Sequence, residues 1–163
     1  PSPRGRVVIV EINKQLLSLY QDGNCLYAWP VSTSARGTGN RMDSLQTPLG
    51  AHRIVEKIGA ACQANTIFKA RQDSGELAEI CQQARASTED LITSRILWLT
   101  GVEPGKNLDG DVDTHNRYIY IHGTPEEGLI GQPVSHGCIR MRNADVIQLF
   151  DQVEADTLVY IME

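Results

Sequence analysis

The chain has 163 residues, of which 41% are hydrophobic, enough apolar material for one compact core but too little for two. The 15 basic and 20 acidic side chains give a formal net charge of −5. No segment gathers Lys and Arg into a run, so nucleic acid is not expected as a partner. No window reaches the roughly 20 apolar residues that a membrane-spanning helix needs. We therefore expect a single domain over residues 1–163 without a membrane span.

The first third of the chain predicts antiparallel strands. Three short runs are rich in apolar, β-branched and aromatic residues, and they cover 6–12, 15–20 and 25–31. Turn-forming residues separate these runs, which is typical of a β-meander. Residues 32–50 are polar and rich in Gly, Ser and Thr, so they predict a surface loop. The loop ends in Thr47-Pro-Leu-Gly50, and a further strand is expected over 52–58.

The middle of the chain is less regular. Residues 75–85 place four apolar side chains at helical spacing among strong helix formers, which predicts a helix. A buried strand is expected over 96–100 and a loop over 103–113, where two Gly, one Pro and three Asp occur. There are four cysteines, and no two form a C-x-x-C pair, so neither a zinc ribbon nor a thioredoxin-type motif is predicted.

The last third mixes strands with one helix. Residues 117–122 alternate, so that Tyr118, Tyr120 and His122 are expected on one face of a strand. Asn143 is a suitable cap for a helix over about 144–153, and 157–162 predict a final strand. The pattern as a whole favours a mainly β fold, either a β-sandwich or a partly closed barrel, with a few short peripheral helices.

Chemistry-bearing residues concentrate in 121–124 and 135–141. Cys138 follows Ser135, His136 and Gly137, and the glycine permits a backbone conformation that turns successive amides toward one point. A thiol becomes a good nucleophile when a neighbouring imidazole takes its proton. His136 shares a face with Cys138 only if the segment is extended. His122, at the end of a strand, is better placed to meet Cys138 from a neighbouring strand.

Two other interpretations of these residues stay open. Cys138 is a buried structural thiol in the first, as most free cysteines are. In the second, His122, His136, Cys138 and His115 bind a metal, but their order and spacing match no zinc pattern, so no metal site is predicted. Arg36, Arg41 and Arg71 are interpreted as solvated surface charges, although an acidic substrate would attract them.

The two segments resemble the signature of the L,D-transpeptidase catalytic domain, or YkuD domain. The signature is present as His122-Gly123, then Ser135-His-Gly-Cys-Ile-Arg140, then Asn143. Thr47-Pro-Leu-Gly50 resembles a further element of the same family. The resemblance covers about 7–161 and is weakest over about 60–89, which we interpret as an elaboration of the family core.

The resemblance implies a YkuD-like fold and peptidoglycan chemistry without a cofactor, in the periplasm or cell envelope. Cys138 would be the nucleophile and His122 the general base, oriented by the Gly123 carbonyl. Backbone amides of His136, Gly137 and Cys138 would form an oxyanion hole. The thiolate would attack a donor tetrapeptide stem after its diaminopimelate, expel D-Ala and pass the acyl group to an amine of a second stem.

Substrate-binding roles are predicted for a smaller group of residues. Arg140 either holds a substrate carboxylate or makes a structural ion pair. Tyr118 and Tyr120 are expected to line a groove for the stem peptide, and Ser135 to bond backbone within the turn or to contact substrate. If the protein is exported to an oxidising compartment, Cys62 and Cys81 are the first candidates for a disulfide.

Two further functions remain open. The same Cys and His with water as acceptor would make an L,D-carboxypeptidase, or an amidase that releases a protein from the wall. A module that keeps the fold but only binds the wall or a metal is the other alternative. The residues predict no oligomeric state.

Overall fold

Eight strands form a closed ring in the computed structural model, which describes residues 5–87 and 89–163. The strands are β1 (Arg6–Glu11), β2 (Leu16–Gln21), β3 (Asn24–Ser32), β4 (Gly50–Ile58), β5 (Thr66–Lys69), β6 (Gln72–Leu77), β7 (Ile92–Gly101), β8 (Tyr120–Gly123), β9 (Ile139–Met141) and β10 (Leu158–Met162). The ring runs β4-β10-β1-β2-β3-β9-β8-β7 and closes by pairing β4 with β7. The predicted mainly β, barrel-like fold is confirmed.

The predicted meander at the start of the chain is present. β1, β2 and β3 pair antiparallel in sequence order, and the turn between β2 and β3 uses Asp22 and Gly23, both with positive φ, as two-residue hairpins require. Two pairs in the ring are parallel, β1 with β10 and β8 with β9. The second of these positions the site.

The core fills the ring and extends under the one α-helix found in the described part of the chain. This helix, α1 (Asn143–Gln152), packs on β7 and β8 and buries Val146, Leu149 and Phe150. Two 3-10 helices cover Gly110–Val112 and Glu127–Leu129. A smaller apolar cluster lies on the other face of β7 and β8, where Phe68, Ile96, Trp98 and Tyr120 are buried beside Cys138.

The helix predicted over 75–85 is wrong. Residues 72–77 instead form β6, which pairs with β5 as a hairpin at the edge of β7, and Gly75 has a φ of +80° that a helix does not accommodate. Beyond Leu77 the backbone bonds to distant loops: the Ala78 amide donates to Asn65 O at 2.9 Å. These tertiary bonds outweigh helix propensity, which is a weak preference.

The predicted disulfide is also absent. All four cysteines, each within the described part of the chain, are free. The Cys62 sulfur lies 3.8 Å from Oδ2 of Asp73, whereas the Cys81 sulfur lies 3.7 Å from the Gln83 carbonyl. Across residues 5–87 and 89–163, the structure has no helix that combines the length and the apolar character required to cross a membrane.

Candidate active site

The parallel pair β8–β9 brings the two signature segments together. Ile121 is in register with Ile139, and His122 with Arg140. Since Ile121 and Ile139 face the main core, His122 and Arg140 face the other side of the sheet. Cys138 precedes Ile139 and therefore shares that side. Strand spacing and rise put the Cα atoms of Cys138 and His122 roughly 8 Å apart, close enough for their side chains to converge.

The tautomer of His122 is determined by the next residue. The imidazole is buried, and its Nδ1 lies 2.6 Å from the carbonyl oxygen of Gly123. A carbonyl only accepts, so Nδ1 carries the hydrogen and Nε2 presents a lone pair. Burial lowers the pKa of His122, and the bond to Gly123 opposes that effect only in part. The resting imidazole is therefore neutral and its Nε2 is a base.

Only glycine fits at position 123. A Cβ there would lie 2.5 Å from the Thr93 carbonyl oxygen and 2.7 Å from Oδ1 of Asn143. The backbone of β8 thus approaches β7 and α1 closely at the point where the carbonyl must face His122. This close approach gives a physical reason for the His-Gly pair.

The Cys138 thiol is half-buried and held by the backbone before and within β8. Its sulfur accepts from the Tyr120 amide at 3.4 Å and donates to the Tyr118 carbonyl at 3.4 Å. Burial raises the pKa of Cys138 to about 11, while the Tyr120 N–H and the nearby guanidinium of Arg140 act in the opposite direction. The resting pair is therefore a neutral thiol beside a neutral imidazole.

The turn before Cys138 is fixed by hydroxyl groups. The Ser135 hydroxyl donates to the Cys138 carbonyl at 2.7 Å and accepts from the Gly137 amide at 3.2 Å. Thr47 donates to the Gly137 carbonyl at 3.0 Å. Gly137 has a φ of +127°, a conformation that favours glycine, as its sequence position predicted. The contacts of Ser135 fit the turn-hydroxyl interpretation.

Arg140 is occupied by protein carboxylates. Its side chain is buried, with Nη1 3.1 Å from Glu126 and Nη2 2.7 Å from Asp90. This geometry favours the structural ion pair over a free site for a substrate carboxylate. A buried guanidinium with two partners holds the end of β9 in one position.

Asp90 is a site residue that the motifs did not indicate. One oxygen pairs with Arg140, and the other lies 3.0 Å from Nδ1 of His136. Burial opposes its ionisation, but the charges of Arg140 and His122 and the hydrogen bond with His136 outweigh it and lower the pKa of the carboxyl. No local pattern marks Asp90, because its partners lie about 50 residues away in the sequence.

The segment from 78 to 87, together with Asp90, forms one wall of the site. The Cys81 amide donates to the Pro125 carbonyl at 2.8 Å, and the Gly128 amide donates back to the Cys81 carbonyl at 3.0 Å. Ser87 donates to Glu126 through both its amide and its hydroxyl. The region interpreted as an elaboration thus bonds to the carboxylate that pairs with Arg140.

The aromatic residues form a rim beside the thiol, but not as one alternating strand. Tyr118 has a φ of +56° and lies in a turn before β8, so the prediction of a strand over 117–122 is wrong in its first part. Tyr118 is exposed and Tyr120 is buried. Trp98 joins them, with ring centroids 5.8 Å from Tyr118 and 5.5 Å from Tyr120, and stacks on His115 at 4.1 Å.

Two clefts meet at His136, whose side chain is exposed. One cleft is lined by 42–45 and 116–119, including Tyr118. The other, with a volume of about 400 Å³, is lined by Ala86, Ser87, Glu89 and Asp90 together with Glu126 and Arg140. His136 Nδ1 lies 3.0 Å from Asp90, and His122 faces the side of the sheet that Cys138 shares. Among residues 5–87 and 89–163, no three His, Cys, Asp or Glu side chains are grouped to hold a metal ion.

Arg117 is another residue near the site that the motifs did not indicate. Its guanidinium donates to the carbonyl of Gln46 at 2.6 Å and to that of Gly39 at 3.2 Å. The Gln46 carbonyl in turn borders the space beside Gly137. Arg117 thereby ties the long loop before β4 to the segment before β8.

Comparison with known families decides the classification. The model of the L,D-transpeptidase catalytic domain family matches residues 5–161. The chain belongs to this family. Among curated proteins, it is 44% identical to YqjB of Bacillus subtilis, named as an L,D-transpeptidase, over 50 residues, which are 31% of this chain and 28% of that protein. It is 49% identical over 47 residues to ErfK/SrfK of Escherichia coli, named likewise, covering 29% of this chain and 15% of the relative.

Solved L,D-transpeptidases share the fold. L,D-transpeptidase 3 from Mycobacterium tuberculosis, in complex with a faropenem-derived adduct, superposes with a TM-score of 0.60 at 16% identity, covering 98% of this chain and 60% of that one. An L,D-transpeptidase from Mycobacterium smegmatis gives a TM-score of 0.58 at 17% identity, covering 98% and 59%. The chain thus spans less than a third of these two curated relatives and about 60% of the solved chains.

Proposed function

We propose that this member of the L,D-transpeptidase family cross-links peptidoglycan stem peptides in the cell envelope, with Cys138 as nucleophile and His122 as general base. The observation that carries the proposal is the shared face of β8 and β9, on which a neutral His122 presents Nε2 toward the side of the sheet that holds the Cys138 sulfur. Family membership supports the reaction class.

The first step is attack on the donor stem. The Cys138 sulfur attacks the carbonyl carbon of the amide after diaminopimelate, a C–S bond forms, and the thiol proton passes to Nε2 of His122. Because burial raises the pKa of the thiol to about 11, the proton leaves as the C–S bond forms rather than beforehand. The imidazolium that results is stabilised by the Gly123 carbonyl on Nδ1.

The tetrahedral intermediate then collapses. The C–N bond breaks, His122 returns its proton to the leaving D-Ala nitrogen, and a thioester on Cys138 remains. An amine of the acceptor stem attacks the thioester while His122 takes its proton. Breaking of the C–S bond releases the cross-linked product and returns the proton to sulfur. Water in place of the amine would make the enzyme an L,D-carboxypeptidase.

The oxyanion is proposed to be held by backbone amides of the turn from His136 to Cys138, which acyl-transfer sites use for this purpose. The Gly137 amide already donates to Ser135 at 3.2 Å, so its use would require exchange of that bond. Ser135 and Thr47 hold the turn. Arg140 and Asp90 hold β9 in place, and Asp90 also holds the imidazole of His136. Tyr118 and Tyr120 are proposed to line the path of the stem peptide.

The test is intact-protein mass after incubation with a disaccharide tetrapeptide, followed by product masses from the same tubes. We expect a Cys138-dependent adduct with loss of D-Ala, and dimer formation when acceptor stem is added. Cys138→Ala should lose the adduct, whereas Cys25→Ala, which removes an exposed cysteine away from the motifs, should keep it. Tripeptide without dimer would identify the hydrolase, and no adduct or turnover in the reduced wild type would overturn the catalytic proposal.

A further inference from the structure

The tip of the β5–β6 hairpin brings a cation to the aromatic rim beside Cys138. Lys69 pairs with Gln72 across a two-residue turn made of Ala70 and Arg71. The Arg71 guanidinium carbon lies 4.9 Å from the ring centroid of Trp98 and 5.4 Å from that of Tyr118. Its Nη1 donates to the Tyr120 hydroxyl at 3.2 Å. Three aromatic side chains therefore fix the position of one half-buried arginine.

The turn that presents Arg71 is conformationally unfavourable. Ala70 has a φ of +48° and Arg71 a φ of +64°, and neither is a glycine or an asparagine. Tight hairpin turns with two positive φ angles favour Asn-Gly at these positions, because a Cβ is poorly tolerated there. Such backbone positions concentrate at binding and catalytic sites, where the surrounding contacts maintain them.

The charge of Arg71 has no carboxylate partner at ion-pair distance among residues 5–87 and 89–163. Lys69, in the same hairpin, is paired with Glu76 at 3.4 Å, and Arg140 has two carboxylates. The Glu56 carboxylate interacts electrostatically with Arg71, but from beyond ion-pair distance. A guanidinium has five N–H donors in a planar fork that matches a carboxylate, and Tyr120 takes one of them.

Tyr120 links this cation to the nucleophile. Its backbone amide lies 3.4 Å from the Cys138 sulfur, and its hydroxyl binds Arg71. The guanidinium is therefore one tyrosine side chain away from the sulfur, along the aromatic rim. A peptide whose scissile carbonyl meets Cys138 and whose chain crosses this rim brings its next charged group to Arg71.

We propose that Arg71 binds a carboxylate of the donor stem peptide and so selects substrates that carry it. The proposal rests on the proposed function. The proposal concerns the two carboxylates on the residues that flank the scissile amide: the terminal carboxylate of the D-Ala leaving group and the carboxylate on the side-chain arm of diaminopimelate. A charge-assisted bidentate contact of this kind is worth about 10- to 100-fold in affinity.

The experiment measures equilibrium binding to protein carrying Cys138→Ala, which separates recognition from turnover. Three tetrapeptide stems are compared by calorimetry: the free acid, the stem amidated at its C-terminus, and the stem amidated on the diaminopimelate arm. Arg71→Gln, on the same background, should weaken the free acid about 10- to 100-fold. The substitution should not change the affinity for the amidated stem that already lacks the carboxylate bound by Arg71. That stem identifies which carboxylate Arg71 binds.

Matched variants separate binding from general charge. Lys69→Gln removes the same charge from the same hairpin and should leave all three affinities unchanged, while Tyr120→Phe removes only the anchor of Arg71 and should give an intermediate loss. The proposal is wrong if Arg71→Gln weakens the binding of all three stems equally or of none. It is also wrong if the protein with Arg71 intact does not bind the free acid more tightly than at least one of the two amides. Failure of the transpeptidase proposal would instead show as absence of the acyl adduct with Arg71 intact.

Discussion

The carbonyl oxygen of Gly123 lies 2.6 Å from Nδ1 of His122, so the residue that follows the histidine determines which imidazole nitrogen is basic. No acidic side chain is needed for this role. The backbone at Gly123 also lies so close to Thr93 and Asn143 that a Cβ would not fit there. We therefore expect the orientation of His122 to depend on a close backbone approach that a larger residue would prevent.

Gly123→Ala tests this dependence. The added Cβ would lie 2.5 Å from the Thr93 carbonyl oxygen, and overpacking of this kind costs about 1–3 kcal/mol in the free energy of unfolding. We expect a loss of that size by denaturant unfolding, together with a fall in acylation rate of at least about 10-fold from misorientation of His122. Gly105→Ala places its Cβ where no atom lies within 4 Å but at a φ of +79°, so it controls for backbone strain without a clash: it is expected to cost stability and to leave acylation unchanged. Unchanged acylation in Gly123→Ala would contradict the role assigned to the carbonyl.

The pH dependence of the free enzyme follows from the neutral thiol and imidazole. Alkylation by iodoacetamide requires the thiolate, and a pKa of about 11 for Cys138 leaves roughly one thiolate in ten thousand at pH 7. The Cys138-dependent rate, taken as wild type minus Cys138→Ala, should rise about tenfold per pH unit from pH 7 past the ordinary thiol value of 9.0. A plateau near neutrality would instead indicate a preformed thiolate–imidazolium pair.

Catalysis should show an acid limb from His122. The proposed base, His122, works in its neutral form, so activity should appear as pH rises through its pKa. Burial lowers that pKa from the ordinary value of 6.5. We therefore expect the acid limb of kcat/KM with a donor stem to lie below pH 6.5, on reduced protein over a range in which circular dichroism shows the fold intact. An acid limb above pH 6.5 would rule out a lowered pKa for the catalytic base.

The two carboxylates on Arg140 should separate stability from activity. Glu126 is buried with Arg140, whereas Asp90 is 42% exposed. Glu126→Gln leaves a buried charge poorly compensated and should cost about 3 kcal/mol of unfolding free energy, while Asp90→Asn should cost about 1 kcal/mol or less. Asp90→Asn should still reduce acylation, because Asp90 also holds His136. Equal effects of the two substitutions on stability would contradict the difference in burial.

Asn143 was expected to cap the helix, but the structure gives it another role. Arg142 occupies the cap position, and the buried Asn143 amide donates to Thr124 O at 2.9 Å and to Glu127 at 2.7 Å. Its Oδ1 lies 2.6 Å from the hydroxyls of both Thr93 and Ser94. The side chain therefore joins β7, the loop after β8 and the start of α1.

Asn143→Asp distinguishes these roles. As a cap, Asp is as good as Asn and its charge suits the helix N-terminus. As a buried tie, Asp loses two donors and brings a carboxylate against Glu127, which should cost at least about 2 kcal/mol in chemical denaturation. Ala144→Asp adds the same charge at an exposed position in the first turn and should be near neutral. Equal stability of the two variants would support capping instead.

The sequence by itself determined the mainly β class, the first three strands, the family and the residues predicted to carry catalysis. These features have local signals: alternation, two-residue turns, and a motif whose glycines, Gly123 and Gly137, permit backbone arrangements that a larger residue would prevent.

Only the tertiary structure decided what surrounds the thiol. Residues 75–85 have helix propensity, yet pairing of β6 with β5 and backbone bonds from Ala78 and Cys81 to distant loops determine their conformation. Arg140 is ion-paired because Asp90 and Glu126 reach it from other parts of the chain. The raised pKa of Cys138 and the lowered pKa of His122 come mainly from burial, and burial results from packing between segments that no local pattern relates.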